Sequence, residues 1–295
     1  MASPVVETRG LGKVFRDFWG RPRVHALKGL DLGVEPGEVF GLLGPNGSVK
    51  STTIKILLGL LHPTAGFAKV LGGSPREVKL KARIGYLPEE SNFYPHLSAE
   101  ETLSFFGSIF ALPTQVIRRR TDELIHLVGL EGARRRLVGE FSKGMLRRIG
   151  LAQALINDPE LLILDEPTAG LDPIGNREVK NLLVDLKRRG KTVLISSHLL
   201  ADIEEVCDKV AILHEGQLRA FGAVDRLLAD DQRTQITTRR LSPGTIEAVR
   251  ALLDEREGAD LKVEVGMPST RLEEFFVRTV TSAKNEPAAG GKAQP

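Results

Sequence analysis

Gly44-Pro45-Asn46-Gly47-Ser48-Val49-Lys50-Ser51-Thr52 decides how the rest of this chain is read. An apolar run, Val39-Phe40-Gly41-Leu42-Leu43, precedes it, and a helix-like stretch from Lys50 to Leu61 follows. Strand, glycine-rich loop and helix form the context in which G-x-x-x-x-G-K-[ST] binds phosphate. Successive N–H groups at a helix N-terminus wrap a polyanion, and the helix dipole adds favourable partial charge. Each residue from Gly44 to Thr52 is therefore a candidate nucleotide contact. Lys50 is expected to reach the β- and γ-phosphates of a nucleoside triphosphate. Ser51 is expected to place its hydroxyl on Mg²⁺, which prefers hard oxygen ligands.

The pattern wants glycine where Val49 stands. Backbone approaches phosphate most closely there, and glycine serves both the approach and the backbone freedom. At positive φ a β-branched residue would cost about 1 to 3 kcal/mol. From the residues alone, the loop either works with weakened binding or no longer binds nucleotide well.

Composition bounds the remaining classes. The 295 residues are 41% apolar and 27% charged, as in an ordinary globular protein with room for a substantial core. No uninterrupted apolar stretch approaches the ~18 to 20 residues of a bilayer span, and the N-terminus lacks a basic segment followed by an apolar core. The chain is expected to be neither secreted nor membrane-spanning. Cys207 is the sole cysteine, which excludes an internal disulfide and suits a reducing cytosol, and its apolar surroundings predict inert packing. The net charge is +3, and the clusters Arg118-Arg119-Arg120, Arg134-Arg135-Arg136 and Lys187-Arg188-Arg189 read as solvated helix faces rather than a nucleic-acid surface.

Along the chain, Val5-Val6 and Val24 to Val34 read as edge strands around a polar loop at Arg16 to Arg23. Strand candidates follow at Phe67 to Leu71 and Ile84 to Leu87. A mostly helical insert comes next, at about 95–157. Ser98-Ala99-Glu100-Glu101 is a capping-box pattern opening a helix to about Phe110; further helical patterning runs from Pro113 to Val128, and Ser142 is placed to cap a helix over Lys143 to Ile156. Leu161 to Leu164 and Thr192 to Ile195 are short apolar runs typical of strands buried on both faces of a parallel sheet, with Ile174 to Arg189 as the crossover helix. Val210 to Leu213 and Gln217 to Phe221 close the main domain near Asp230. Beyond it, strand-like Gln235 to Thr238, helix-like Gly244 to Glu255, strand-like Leu261 to Val265 and helix-like Thr270 to Val280 suggest a small α+β appendage over 231–281. Residues 282–295 are expected to be disordered.

A second nucleotide signal is Leu161-Leu162-Ile163-Leu164-Asp165-Glu166. A buried strand ending in carboxylates delivers Asp165 to the C-terminal edge of the sheet, beside the loop, where it can orient Mg²⁺ through water. Glu166 suits a second task, polarising the water that attacks the γ-phosphate.

With both signals in hand, residues 4–230 resemble the ATP-binding subunit of an ABC transporter. Phe141-Ser142-Lys143-Gly144-Met145 resembles the family's signature segment, with Ser142 and Gly144 kept, and Lys143 and Met145 standing where glycine and glutamine are common. In the family this segment faces the γ-phosphate bound by the opposite subunit. Ala169-Gly170-Leu171-Asp172-Pro173 resembles the D-loop that couples two ATP sites; read by itself, Asp172 lies in a turn near a helix start. His198 resembles the switch histidine that contacts the γ-phosphate. Glu89, in Ile84-Gly85-Tyr86-Leu87-Pro88-Glu89-Glu90, occupies the Q-loop position where glutamine is usual, and its oxygen can still serve Mg²⁺ or its waters. Phe15 best resembles the aromatic residue that stacks on adenine, with Phe18 and Trp19 close enough to compete. Leu272-Glu273-Glu274-Phe275-Phe276 resembles the terminal helix of members whose permease is a separate chain and whose tasks include export.

The resemblance implies an α/β, P-loop NTPase fold with an ABC-type antiparallel β subdomain, a helical subdomain and a small C-terminal α+β appendage. It implies ATP and Mg²⁺, a head-to-tail dimer, likened to a homodimer, and an integral membrane permease as partner. It places the chain in the cytoplasm, peripheral on the inner face of the cell membrane. Two alternatives stand beside a MgATP hydrolase: a nucleotide-impaired subunit whose Ser142 and Gly144 complete a partner's site, and an ABC-type ATPase acting on ribosomes or DNA. One set of motifs and a short helical insert disfavour the last.

Overall fold

The computed structural model describes residues 3–45, 49–229 and 241–257. The chain divides into two compact units, Met1–Leu228 and Ala229–Pro295. In the first unit an antiparallel three-stranded sheet has the order β2-β1-β4, from β1 (Val6–Arg16), β2 (Pro22–Val34) and β4 (Ala65–Val70). β1 is far longer than the pair Val5-Val6 suggests. Register shifts along its pairing with β2 break the period-two alternation that would have announced it.

The second sheet has six strands in the order β5-β6-β7-β3-β8-β9, from β3 (Val39–Leu43), β5 (Ile84–Leu87), β6 (Leu161–Asp165), β7 (Thr192–Ser197), β8 (Lys209–His214) and β9 (Gln217–Ala223). All its pairings are parallel except β8 with β9. Every residue of β3, β6 and β7 is buried, which is why these segments read as continuous apolar runs. The central position of β3, between β7 and β8, brings the C-terminal ends of β3, β6 and β7 to one edge, and Asp165 pairs in register with Ser196.

α1 (Lys50–Leu57) follows β3 and ends short of the expected Leu61. Gly59 adopts φ 67° there, and a Cβ on it would lie 2.3 Å from the Pro75 carbonyl oxygen, so the helix turns off where only glycine fits. After α2 (Val78–Lys81) come α3 (Ala99–Ile109), α4 (Thr114–Leu127) and α5 (Lys143–Leu155), the helices expected for the insert. Ser98 and Glu101 form the reciprocal capping box, and Ser142 caps α5 by accepting from Met145 N–H. Gly85 lets α5 lie directly on β5: a Cβ there would stand 1.9 Å from the Ala154 carbonyl oxygen. That close seating carries the first turns of α5 over the edge where the strands end.

α6 (Pro173–Arg188), α7 (Leu200–Val206) and α8 (Val224–Leu228) complete the unit. Cys207 is buried against this core, and burial pushes its thiol well above the ordinary value, in line with inert packing. In the second unit α9 (Pro243–Glu257) corresponds to the expected helix from Gly244. The expected strands at 235–238 and 261–265, the helix at 270–280 and the tail at 282–295 lie outside the described residues. Among the described residues no helix is long and apolar enough to cross a membrane.

Candidate functional site

α1 begins without the side-chain cap that α3, α5 and α6 carry, a lack it shares with α2, α4 and α7. Val49 occupies the N-cap with φ 5° and ψ 6°, no side chain accepts a hydrogen bond there, and the first turn holds no acidic residue. Ser98, Ser142 and Asp172, in contrast, cap α3, α5 and α6 with their side chains. An uncapped N-terminus leaves N–H donors and a positive dipole end available to an anion. Asn46, Gly47 and Ser48 lie outside the described residues.

Lys50 adds a full positive charge at this point, and it is buried. Its Nζ donates to the Gly44 carbonyl oxygen at 2.5 Å and lies 3.4 Å from Glu166 Oε1. A buried ammonium beside an uncapped helix start is costly without negative charge, which Glu166 supplies here. Ser51 and Thr52 are half-buried on the following turn.

Glu166 is held at every polar group. Its N–H donates to the Ser196 carbonyl at 3.1 Å and to Ser196 Oγ at 3.1 Å. Its second carboxylate oxygen, Oε2, accepts from His198 N–H at 3.3 Å and lies 2.8 Å from His198 Nδ1. Its φ is 50°, the left-handed region, which costs a non-glycine residue of order 1 to 3 kcal/mol and persists only where neighbours over-determine it. Ser196 Oγ also donates to Asp165 Oδ1, so one hydroxyl fixes both carboxylate-bearing residues. Thus Lys50, Asp165, Glu166 and His198, far apart in sequence, converge at the ends of β3, β6 and β7.

Ser196, Arg147 and Tyr86 belong to this site without being among the residues expected there. The Arg147 guanidinium is buried and donates to the main-chain carbonyls of Pro88, Glu89, Asp165, Glu166 and Pro167. Burial lowers its pKa to about 10, and the Asp165, Glu89 and Glu166 carboxylates oppose that shift, so it stays charged at neutral pH. Burial raises the Tyr86 hydroxyl above its usual value, with Asp165 adding to the effect. An arginine on the apolar face of α5, in step with buried Gly150, Leu151 and Ala154, was the available sign.

The other expected residues lie outside the Lys50–Glu166–His198 contacts. Glu89 is exposed, its carbonyl held by Arg147. Ser142 is exposed and Gly144 half-buried. Asp172 is the N-cap of α6, accepting from Gly175 N–H at 2.7 Å. Phe15 is partly exposed on β1, with Lys13 Nζ 5.3 Å from its ring centre, while Phe18 and Trp19 project from the β1–β2 turn.

Comparison with known proteins identifies what this edge belongs to. A family model described as ABC transporter matches residues 27–169. An ABC transporter ATP-binding protein of Synechocystis, itself uncharacterised, is 44% identical, with 93% of this chain and 84% of that protein aligned. The chain belongs to the ATP-binding subunits of ABC transporters. A fluoroquinolones export ATP-binding protein of Mycobacterium tuberculosis is 40% identical over 80% of this chain and 76% of its own length. Among solved structures, the ATP-binding cassette MJ0796, a dimer in a post-hydrolysis state bound to ADP and Pi, superposes with a TM-score of 0.67 at 25% identity, covering 74% of this chain and 98% of that one. The relatives lend no support to the impaired-subunit alternative.

Proposed function

We propose that this chain hydrolyses MgATP and thereby drives export through a separate membrane permease. The observation that carries the proposal is the buried contact of Lys50 and Glu166, continued to His198, at the ends of three buried strands. The uncapped start of α1 and Lys50 take the phosphates. Glu166, aimed by its left-handed backbone and by His198, orients the attacking water and accepts its proton.

The donor set also fits Mg²⁺: the Ser51 hydroxyl, the Asp165 carboxylate and the Glu89 carboxylate offer hard oxygens. No group of three or more His, Cys, Asp or Glu among the described residues could hold a metal by itself. Mg²⁺ suits such a site because it shares phosphate and water oxygens with few protein ligands. When bound it would neutralise charge on the phosphates.

The export names of relatives and the dimeric state of the MJ0796 cassette support two further parts of the reading. Two copies associate head to tail, so that Ser142 and Gly144 of one meet the γ-phosphate held by the other and Asp172 links the sites. Residues 1–230 form the ATP-binding domain, with its helical subdomain at about 95–157, and the assembly sits in the cytoplasm on the inner face of the membrane. Mg²⁺-dependent phosphate release by the purified chain, lost in Glu166→Gln with ATP binding retained, is the expected result. Absence of hydrolysis by the wild type, alone and with its co-purifying permease, overturns the proposal.

A further inference from the structure

A guanidinium has five N–H groups in a rigid planar fork. In Arg147, Nε donates to Pro167 O at 3.0 Å, Nη1 to Pro88 O at 2.6 Å and to Glu89 O at 3.0 Å, and Nη2 to the carbonyls of Asp165 and Glu166. Every donor therefore meets a main-chain acceptor, and the residue is 6% exposed. The acceptors belong to two segments, the one after β5 that carries Glu89 and the one after β6 that carries Asp165 and Glu166. The donor belongs to a third, the head of α5, two turns or less from its Ser142 cap.

We infer that Arg147 is a positioning residue for hydrolysis, holding the Glu166 main chain in its left-handed turn and tying it to the Glu89 segment and to α5. The inference rests on the proposed ATPase activity and deepens it. Glu166 needs restraint because its backbone sits in an unfavourable region, and both its main-chain groups are held, the N–H by Ser196 and the C=O by Arg147 and by the Ala169 N–H at 3.1 Å. Without Arg147 the carbonyl keeps only the local Ala169 N–H and the turn loses its tie to the Glu89 segment and α5, which lets the peptide shift and the carboxylate move off Lys50 and His198. Small misplacement of a catalytic group is expensive in rate while leaving phosphate contacts made by α1 intact. Lysine cannot substitute, since three donors on a point charge cannot serve carbonyls spread in one plane.

The effect belongs in kcat rather than in ATP affinity. For Arg147→Lys and Arg147→Met we expect kcat to fall at least about tenfold, with the dissociation constant of ATP changed less than about threefold. If Arg147 acts through Glu166, adding Glu166→Gln to either variant costs far less than the same change costs the wild type. Wild-type kcat in both variants, or full additivity with Glu166→Gln, overturns the inference while leaving the ATPase reading standing. Loss of the cooperative thermal transition in both variants also overturns it, in favour of a purely structural role. A wild type that does not hydrolyse ATP removes the reading itself, and the inference with it.

Discussion

Lys50 Nζ lies 3.4 Å from Glu166 Oε1, and both side chains are about nineteen-twentieths buried. In the proposed mechanism the ammonium that meets phosphate is thus held by the carboxylate that orients water. On that reading incoming phosphate would draw the lysine away and free Oε1, tying substrate arrival to release of the base. Glu166→Gln weakens that hold and removes a negative charge from the path of a polyanion. We expect hydrolysis to fall by about 10² to 10⁴-fold, with ATP bound as tightly as before or more tightly. Lys50→Met strands the glutamate in a buried site; removing one partner of such a pair costs up to about 3 to 5 kcal/mol, and His198 places this case at the lower end. Equal ATP affinity in Lys50→Met and wild type, by titration, would refute the assigned role of the lysine.

Val49 is 8% exposed and packs in the apolar cluster that includes Phe40, Leu42, Ile54 and Leu57. Its carbonyl accepts from both the N–H and Oγ1 of Thr53. The isopropyl group therefore packs into the core. Val49→Gly should forfeit about 1.5 to 3 kcal/mol of apolar burial, lowering Tm by about 2 to 4 °C per kcal/mol. ATP affinity should rise no more than about tenfold. Wild-type protein that fails to bind ATP at millimolar concentration, with binding restored by Val49→Gly, would return the impaired-subunit reading.

The sheet and the gathering of these residues at its edge were legible because a strand buried on both faces leaves an unbroken apolar run, and the polar residue ending that run stands at the sheet edge. Asp165, Glu166, Ser196 and His198 all follow such runs. Arg147 does not, because it works on main-chain groups, and a carbonyl has no letter in the sequence. Pro88 and Glu89 lie 59 and 58 residues from Arg147, a pairing that only the packing of α5 on β5 creates. The adenine platform stayed ambiguous for a different reason: β1 and β2 continue past Phe15 into an aromatic-bearing turn whose register local pattern does not reveal.

Trp19 resolves that ambiguity, being the sole tryptophan of the chain. It is 78% exposed and stands edge-on to Phe18, with ring centres 5.5 Å apart. The Asp17 carboxylate accepts from the N–H groups of Trp19 and Arg21 at 2.9 Å, which fixes the turn. With Phe15 as the platform, ATP leaves Trp19 emission nearly unchanged, and Phe15→Ala weakens binding by the about 1 to 3 kcal/mol of one stacked base. Saturable quenching of Trp19 by ATP, with a matching loss in Trp19→Ala, would move the platform to the turn.

The helical insert should respond to acid through α3. Arg134 donates to Glu100 at 2.7 and 2.9 Å and also bridges Asp122, and these bonds hold the Glu100 carboxyl below its ordinary 4.5. Glu101 is lowered as well, by the Ser98 N–H of the capping box. A carboxylate with a depressed folded pKa stabilises the fold above its unfolded value, and that stabilisation is lost as pH falls through the folded value. Stability should therefore be flat from pH 7 to about 5 and decline below about 4.5. The Glu100 pair is more than a third exposed, so Glu100→Gln should cost only about 0.2 to 1 kcal/mol at neutral pH. That difference should shrink as pH falls from the unfolded value through the lowered folded value, and vanish below it, where both chains carry a neutral group at this position. A Glu100→Gln deficit that persists undiminished at pH 3, in thermal unfolding followed by circular dichroism, would show that the Arg134 pairing is not its source.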